Sequence, residues 1–274
     1  MQSSALAPAT VANYLADLRA FLRWSEETRD SDSTPFCLDT TDLQEFCTYL
    51  QDTKGHAPST VNRRIQALRK FYSLAVAEEW TDSNPAEQVS LLKESASERS
   101  RSLSADDIDR LLAAVQQASA RRVARDQAVI QLLLGAGLKL GELTELRMAD
   151  LHLEADRPYL VVSSKDGDPG RRVPLEDQVC DALADYLENR NAEPGVRHLC
   201  VNRDGRPLST RSIQRLLRRY AKAAGLDNLT TQALRYVYAQ KVYEKSGDLE
   251  TVARRLGHRH LATTIRYLRS DSDE

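Results

Sequence analysis

The chain has 274 residues, 41% of them hydrophobic and 28% charged, with a formal net charge of −2. This suits one or two globular domains with a real core and excludes a disordered or fibrous chain. No apolar run approaches the roughly 20 residues of a membrane span, and the opening "MQSSALAPATVANY" lacks a basic-then-apolar leader, so a cytoplasmic protein without a membrane partner is expected.

The first segment reads as helical throughout. In "TVANYLADLRAFLRWSEET" the apolar residues Val11, Tyr14, Leu15, Leu18, Phe21 and Leu22 recur at steps of three and four, which predicts one buried face. "DSDSTP" breaks the pattern. "TTDLQEFCTYLQDT" resumes it with Leu43, Phe46, Cys47 and Leu50 after a Thr-rich start. After "KGHAPS", a long helix is predicted from Ser59 as its cap, with Val61, Ile65, Leu68, Tyr72 and Val76 inward. It ends before Pro85, because the residue ahead of a proline avoids the helical region. The polar, Ser-rich stretch that follows, 93–104, reads as a linker between domains 1–92 and 105–274.

The second domain opens with "SADDIDRLLAAVQQA", a capped helix with acids in its first turn. "RDQAVIQLLLGAG" is a largely buried helix closed by glycines, and "GELTELRMADL" is a short one. "RPYLVVSSKDGDPGRRVPL" changes character: two β-rich runs flank a turn, which predicts a small hairpin. Helices return over 176–190, 209–224, 231–246, 248–256 and 261–268. The four cysteines, 37, 47, 180 and 200, have no metal-ligand spacing, so reduced thiols and no metal are expected.

The mild net charge hides an uneven distribution. Residues 1–92 hold 8 Lys/Arg against 13 Asp/Glu, leaving 30 against 27 for the rest. Two helices carry acid-free basic stripes: Arg63, Arg64, Arg69 and Lys70 in one; Arg211, Arg215, Arg218, Arg219 and Lys222 in the other. Such stripes bind phosphates whatever the whole-chain charge, although one stripe alone is more often a solvated face. Residues 218 and 219 point about 100° apart on a helix, so both cannot face the same partner.

Four weaker signals follow in order. Lys139 and Glu142 are spaced to share a helix face, which by itself means a surface ion pair of little worth. Lys165 sits in the hairpin turn. Arg235 lies among aromatic and apolar residues and needs an anionic partner. In "LGHRHLATTIRYL", Tyr267 follows His258 by nine residues; alone, that tyrosine reads as a packing residue.

Taken together, "LGAGLKLGELTELRMADL", "VVSSKDGDPGRRVPL", "TTQALRYVYA" and "LGHRHLATTIRYL" resemble, in this order, the active-site segments of the tyrosine site-specific recombinases, the phage integrase and XerC/XerD type. "ATVANYLADLRAFLRW" and "STVNRRIQALRKFYSLAVAEEWTDSNPAEQV" resemble the core-binding domain of that family, so the likeness spans about residues 8–268. It implies a mainly α fold: a helical, SAM-like core-binding domain, then a mostly helical catalytic domain with a small antiparallel sheet. It implies Tyr267 as nucleophile, Arg235 and His258 on the phosphate, and Lys165 as general acid. Lys139 stands where the family has its first arginine, and Gln232 where it has its first histidine. Lys keeps charge but loses the planar fork, and Gln donates a hydrogen bond but transfers no proton.

The implied reaction is DNA cleavage and rejoining through a 3′-phosphotyrosyl link, with no cofactor, no metal and no ATP. The implied partners are double-stranded DNA with a specific recombination site and further copies of this chain, dimer to tetramer, on that DNA. Arg63, Arg64, Arg69, Arg211, Arg215, Arg218 and Arg219 are the expected DNA contacts. Only "LRSDSDE" follows Tyr267, so assembly through an exchanged C-terminal helix is not expected. Lys139 and Gln232 keep a second reading open, a DNA-binding protein of this fold that occupies or regulates recombination sites with impaired cleavage.

Overall fold

The computed structural model describes residues 8–29, 34–93, 103–163, 170–227 and 229–268. The chain separates into two compact units, Met1–Glu98 and Arg99–Glu274.

The first unit contains α1 (Pro8–Thr28), α2 (Thr40–Thr48) and α3 (Pro58–Ala77). Asp39 starts α2: its carboxylate accepts the amides of Thr41 and Asp42, and Asp42 returns the bond to the Asp39 amide. Pro58 opens α3 at its first position, where a missing amide costs nothing, so the helix starts from Ala57 without a side-chain cap and Ser59, the expected cap, lies inside its first turn. Phe21, Trp24, Phe46, Ile65 and Tyr72 are buried at the centre.

The face of α1 differs from its reading. Val11, Leu15 and Leu22 are exposed, while Asp17, Phe21, Trp24 and Ser25 are buried. The helix is turned because Trp24 joins the Phe21–Phe46 ring cluster and buried Asp17 meets Arg63 and Arg64 of α3. Tyr72 is inside as expected, its hydroxyl donating to the Pro35 carbonyl at 2.7 Å; Val76 is exposed.

The second unit runs α4 (Ala105–Gln116), α5 (Ala120–Ala136), α6 (Leu140–Glu145), β1 (Leu151–His152), β2 (Tyr159–Val162), β3 (Arg171–Pro174), α7 (Asp177–Glu188), α8 (Thr210–Ala223), α9 (Thr231–Ser246), α10 (Leu249–Leu256) and α11 (Leu261–Leu268). The fold is mainly α with one small sheet. Ser104 caps α4 reciprocally with Asp107. Helix α5 is the hub: Val129, Ile130, Leu132 and Leu133 are fully buried, and it packs against α4, α7, α8 and α9. The sheet is antiparallel in the order β1-β2-β3, with Leu160 opposite Val173. β1 was not legible as a strand, being two residues long. On β3 alternation separates two neighbours: Arg171 turns inward and Arg172 outward over the Tyr159 ring.

Candidate functional site

Arg235 is the centre of the site. It lies just over one turn into α9 and is 2% exposed. A guanidinium this deep needs anionic or carbonyl partners on every side. Its Nη1 donates to the Gly137 carbonyl and its Nη2 to the Leu256 carbonyl at 2.6 Å. Those two carbonyls close α5 and α10, where the helix dipole is negative and carbonyls lack helical partners, so two helix ends converge on one cation. Gly137 can end α5 in the left-handed region, at φ 56°, because it has no Cβ; an added one would lie 2.2 Å from the Tyr238 ring.

Glu142, in the first turn of α6, supplies the nearby negative charge. Its Oε2 lies 3.8 Å from Arg235 Nη1. Glu142 does not pair with the Lys139 ammonium as its spacing suggests. It accepts the Lys139 amide at 2.7 Å as a helix cap and two bonds from Arg171, at 2.9 and 2.8 Å. Burial raises the Glu142 pKa, but Arg171, the Lys139 amide and Arg235 outweigh it and hold the carboxyl below its ordinary value.

His258 follows Gly257, which ends α10 at φ 68°. Its Nδ1 is 2.8 Å from Thr264 Oγ1, and its Nε2 faces Arg235 Nη2 at 3.4 Å. Since a guanidinium only donates, Nε2 is the acceptor, and the ring proton resides on Nδ1 toward Thr264. Burial, then Arg235, Lys139 and Arg171, lower the His258 pKa to about 4, with Glu142 opposing. The ring is neutral at pH 7.

Tyr267 on α11 stands beside this group. Its ring centre is 5.6 Å from those of His258 and Tyr236. Its hydroxyl points at the Gln232 carbonyl at 3.4 Å. Burial raises its pKa, and Arg235 opposes that rise by favouring the phenolate. Lys139 is exposed at the start of α6, near enough for its charge to reach His258. The Gln232 side chain is exposed on the first turn of α9. The structure therefore brings Lys139, Gln232, Arg235, His258 and Tyr267 together; Lys165 lies outside the described residues.

The expected DNA contacts divide. On α8, Arg211, Arg215 and Arg218 are exposed at spacings of four and three, and Lys222 continues the row. Arg219 turns away to Asp126 at 2.9 Å; that fully buried carboxylate also accepts from Arg125 and the Tyr220 hydroxyl. On α3, Arg63 and Arg64 meet Asp17. Arg69 donates to the Ala86 and Val89 carbonyls at 3.0 and 2.7 Å and thereby ties the loop after α3.

Sequence reasoning missed Arg171, whose inward position was legible only from its alternation with Arg172. It also missed a cleft of about 1360 Å³ beside α8 and the start of α5, lined by Arg122, Arg125, Arg190, Arg203, Arg215 and Arg219. Along α5, the cleft residues Arg122 and Arg125 lie about 18–23 Å from Gly137. Among the described residues no group of three or more His, Cys, Asp or Glu is arranged to hold a metal ion, and no helix is long and apolar enough to cross a membrane.

Residues 101–274 match the model of the phage integrase family, and residues 1–82 that of the phage integrase N-terminal SAM-like domain. The chain is 32% identical over 268 residues to tyrosine recombinase XerD of Lacticaseibacillus casei, covering 96% of this chain and 88% of that one. It is 32% identical over 222 residues to tyrosine recombinase XerC of Alcanivorax borkumensis, covering 80% and 71%. Its fold is similar to that of a lambda integrase dimer bound to a COC′ core site, with a TM-score of 0.76 at 20% identity over 99% of this chain and 75% of that one.

Proposed function

Because this chain belongs to the phage integrase family, as a tyrosine recombinase of the XerC/XerD type, we propose that Tyr267 cuts duplex DNA at a specific site and rejoins it to a second strand. The observation that carries the assignment is the meeting of the Tyr267 phenol, buried Arg235 and neutral His258 in one pocket.

In this reading the Tyr267 oxygen attacks the scissile phosphorus, and the bond to the 5′ oxygen breaks. A 3′-phosphotyrosyl link and a 5′-hydroxyl result, and attack by another 5′-hydroxyl reverses the step. The link preserves the phosphodiester energy, so no nucleotide is consumed. Arg235 and Lys139 offset charge on the non-bridging oxygens, and Arg235, held by two helix ends, needs no reorganisation to do so. Burial and then the surrounding cations depress the His258 pKa, and a bound phosphate counters the cations. His258 then takes the phenolic proton on Nε2, holds it as the link forms and returns it to the phenolic oxygen when the step reverses. Lys165 gives the departing 5′ oxygen its proton.

DNA contact falls to the exposed row Arg211, Arg215 and Arg218 and to the arginine-lined cleft beside it, with the half-exposed Arg63 as the contact from the first unit, while Arg64 stays with buried Asp17. Arg69 and Arg219 act mainly through the backbone carbonyls and the carboxylate that they already hold. Most such contacts set register rather than sequence, and binding weakens steeply with salt. The relative of similar fold is a DNA-bound dimer, and we extend self-association on DNA, dimer to tetramer, to this chain. A cytoplasmic location follows from the same reading.

The test is a nicked duplex carrying the site that footprinting recovers from a randomised pool. The wild-type chain is expected to form a covalent adduct on it and Tyr267→Phe none. Binding without any adduct would favour the site-occupying protein instead.

A further inference from the structure

We propose that Arg171 is a positioning residue for cleavage: by holding the Glu142 carboxylate in a two-pronged pair, it leaves Arg235 with a charge that a phosphate can use. The inference rests on the recombinase reading and assigns a role to a side chain that touches no reacting atom.

Glu142 lies between two guanidinium groups. Arg171 binds both of its oxygens, at 2.9 and 2.8 Å, whereas Arg235 approaches one oxygen at 3.8 Å. The side chains of Arg171 and Glu142 are 14% and 15% exposed, so water screens this arrangement little. These two guanidinium groups and one carboxylate carry one net positive charge between them beside Tyr267, in addition to that of Lys139. Without Arg171, Glu142 would keep Arg235 as its remaining strong partner. The pair would close, the net charge would fall to zero, and the fork of Arg235 would be drawn toward α6.

Arg171 is also anchored on its other side. Its Nε donates to the Arg255 carbonyl at 2.8 Å, in the last turn of α10. Its side chain fills the space beside Gly257, where an added Cβ would lie 2.9 Å from Nη1. One strand residue thus ties the base of the hairpin to α6 and to the turn that presents His258. A purely structural staple and a charge-directing clamp make opposite predictions when both partners are removed.

The experiment compares Arg171→Gln, Arg171→Lys and the double variant Glu142→Gln/Arg171→Gln with wild type. The first readout needs no DNA: titration of the His258 ring by NMR. Arg171→Gln is expected to raise the His258 pKa from about 4, because the Arg171 charge is lost and Glu142 then turns to Arg235. The double variant is expected to bring it back down, because the carboxylate charge is gone. The second readout is adduct on the nicked duplex. Arg171→Gln is expected to fall roughly tenfold to a hundredfold. The double variant is expected to recover most of that loss, and Arg171→Lys, which keeps the charge but loses the two-pronged grip, to fall between Arg171→Gln and wild type.

A double variant that titrates higher than Arg171→Gln, or cleaves no better, overturns the clamp and leaves a staple. So does an Arg171→Lys chain as defective as Arg171→Gln. Wild-type protein that titrates as expected yet never forms adduct overturns the recombinase reading, and the clamp's role in cleavage with it.

Discussion

Gly137→Ala tests how the fold holds its central arginine. Gly137 ends α5 at φ 56° and ψ 38°, a conformation that costs an L-residue about 1–2 kcal/mol. The new methyl would lie 2.2 Å from Cδ1 of Tyr238, a ring 4% exposed. Relieving such overpacking costs about 1–3 kcal/mol more. The sum, about 2–5 kcal/mol, is a large part of ordinary domain stability. For a unit of this size each kcal/mol moves the melting point about 2–4 °C, so a fall of roughly 4–20 °C is expected in calorimetry of the full chain. Because Arg235 donates to the carbonyl of this same residue, adduct formation should also drop at temperatures where the variant is folded. Gly141→Ala is the matched control: an added Cβ there meets nothing within 4 Å, and alanine favours the helix. If Gly137→Ala melts within a degree or two of wild type and forms normal adduct, the argument that this glycine seats Arg235 is wrong.

Three other perturbations have definite outcomes. Lys139→Arg should preserve or raise the adduct yield, since a planar fork restores two-point contact with phosphate; a marked loss would show a pocket rebuilt around the ammonium. Arg218→Ala should weaken DNA binding and lessen its salt dependence by about one unit of the log–log slope, with little change in melting, whereas Arg219→Ala should lower the melting point because it strips a partner from buried Asp126. In a urea series against pH, the depressed His258 pKa means that the unfolded chain binds more protons between about 6.5 and about 4. Stability is therefore full above pH 6.5 and declines as pH falls through that window, by about 1 kcal/mol after allowance for partial exposure. His258→Gln should flatten that limb.

Much of the scaffold was readable in advance. The helical spacings that bound α7 to α11, the caps at Ser104 and in the first turn of α4, and the β-rich runs around "KDGDPG" are local features, and each element lies within a residue or two of its reading. The family resemblance likewise singled out Arg235, His258 and Tyr267, which lie against one another, and Lys139 and Gln232, which are exposed at the starts of α6 and α9. The reading of α1 erred where pattern competes with partnership: three apolar residues face outward so that Asp17 can meet two arginines and Trp24 can join its ring cluster.

Order along the chain, hydrophobic period and motif spacing determined the elements, the family and the candidate nucleophile, because these depend on neighbours a few residues apart. Only the tertiary structure decided how each charge is used. Arg219 meets an aspartate 93 residues away, Glu142 turns from Lys139 to an arginine 29 residues away, and Arg235 rests against the ends of two helices. Such pairings follow from which segments the packed core brings together and from the cost of leaving a buried charge alone, and no local pattern encodes either.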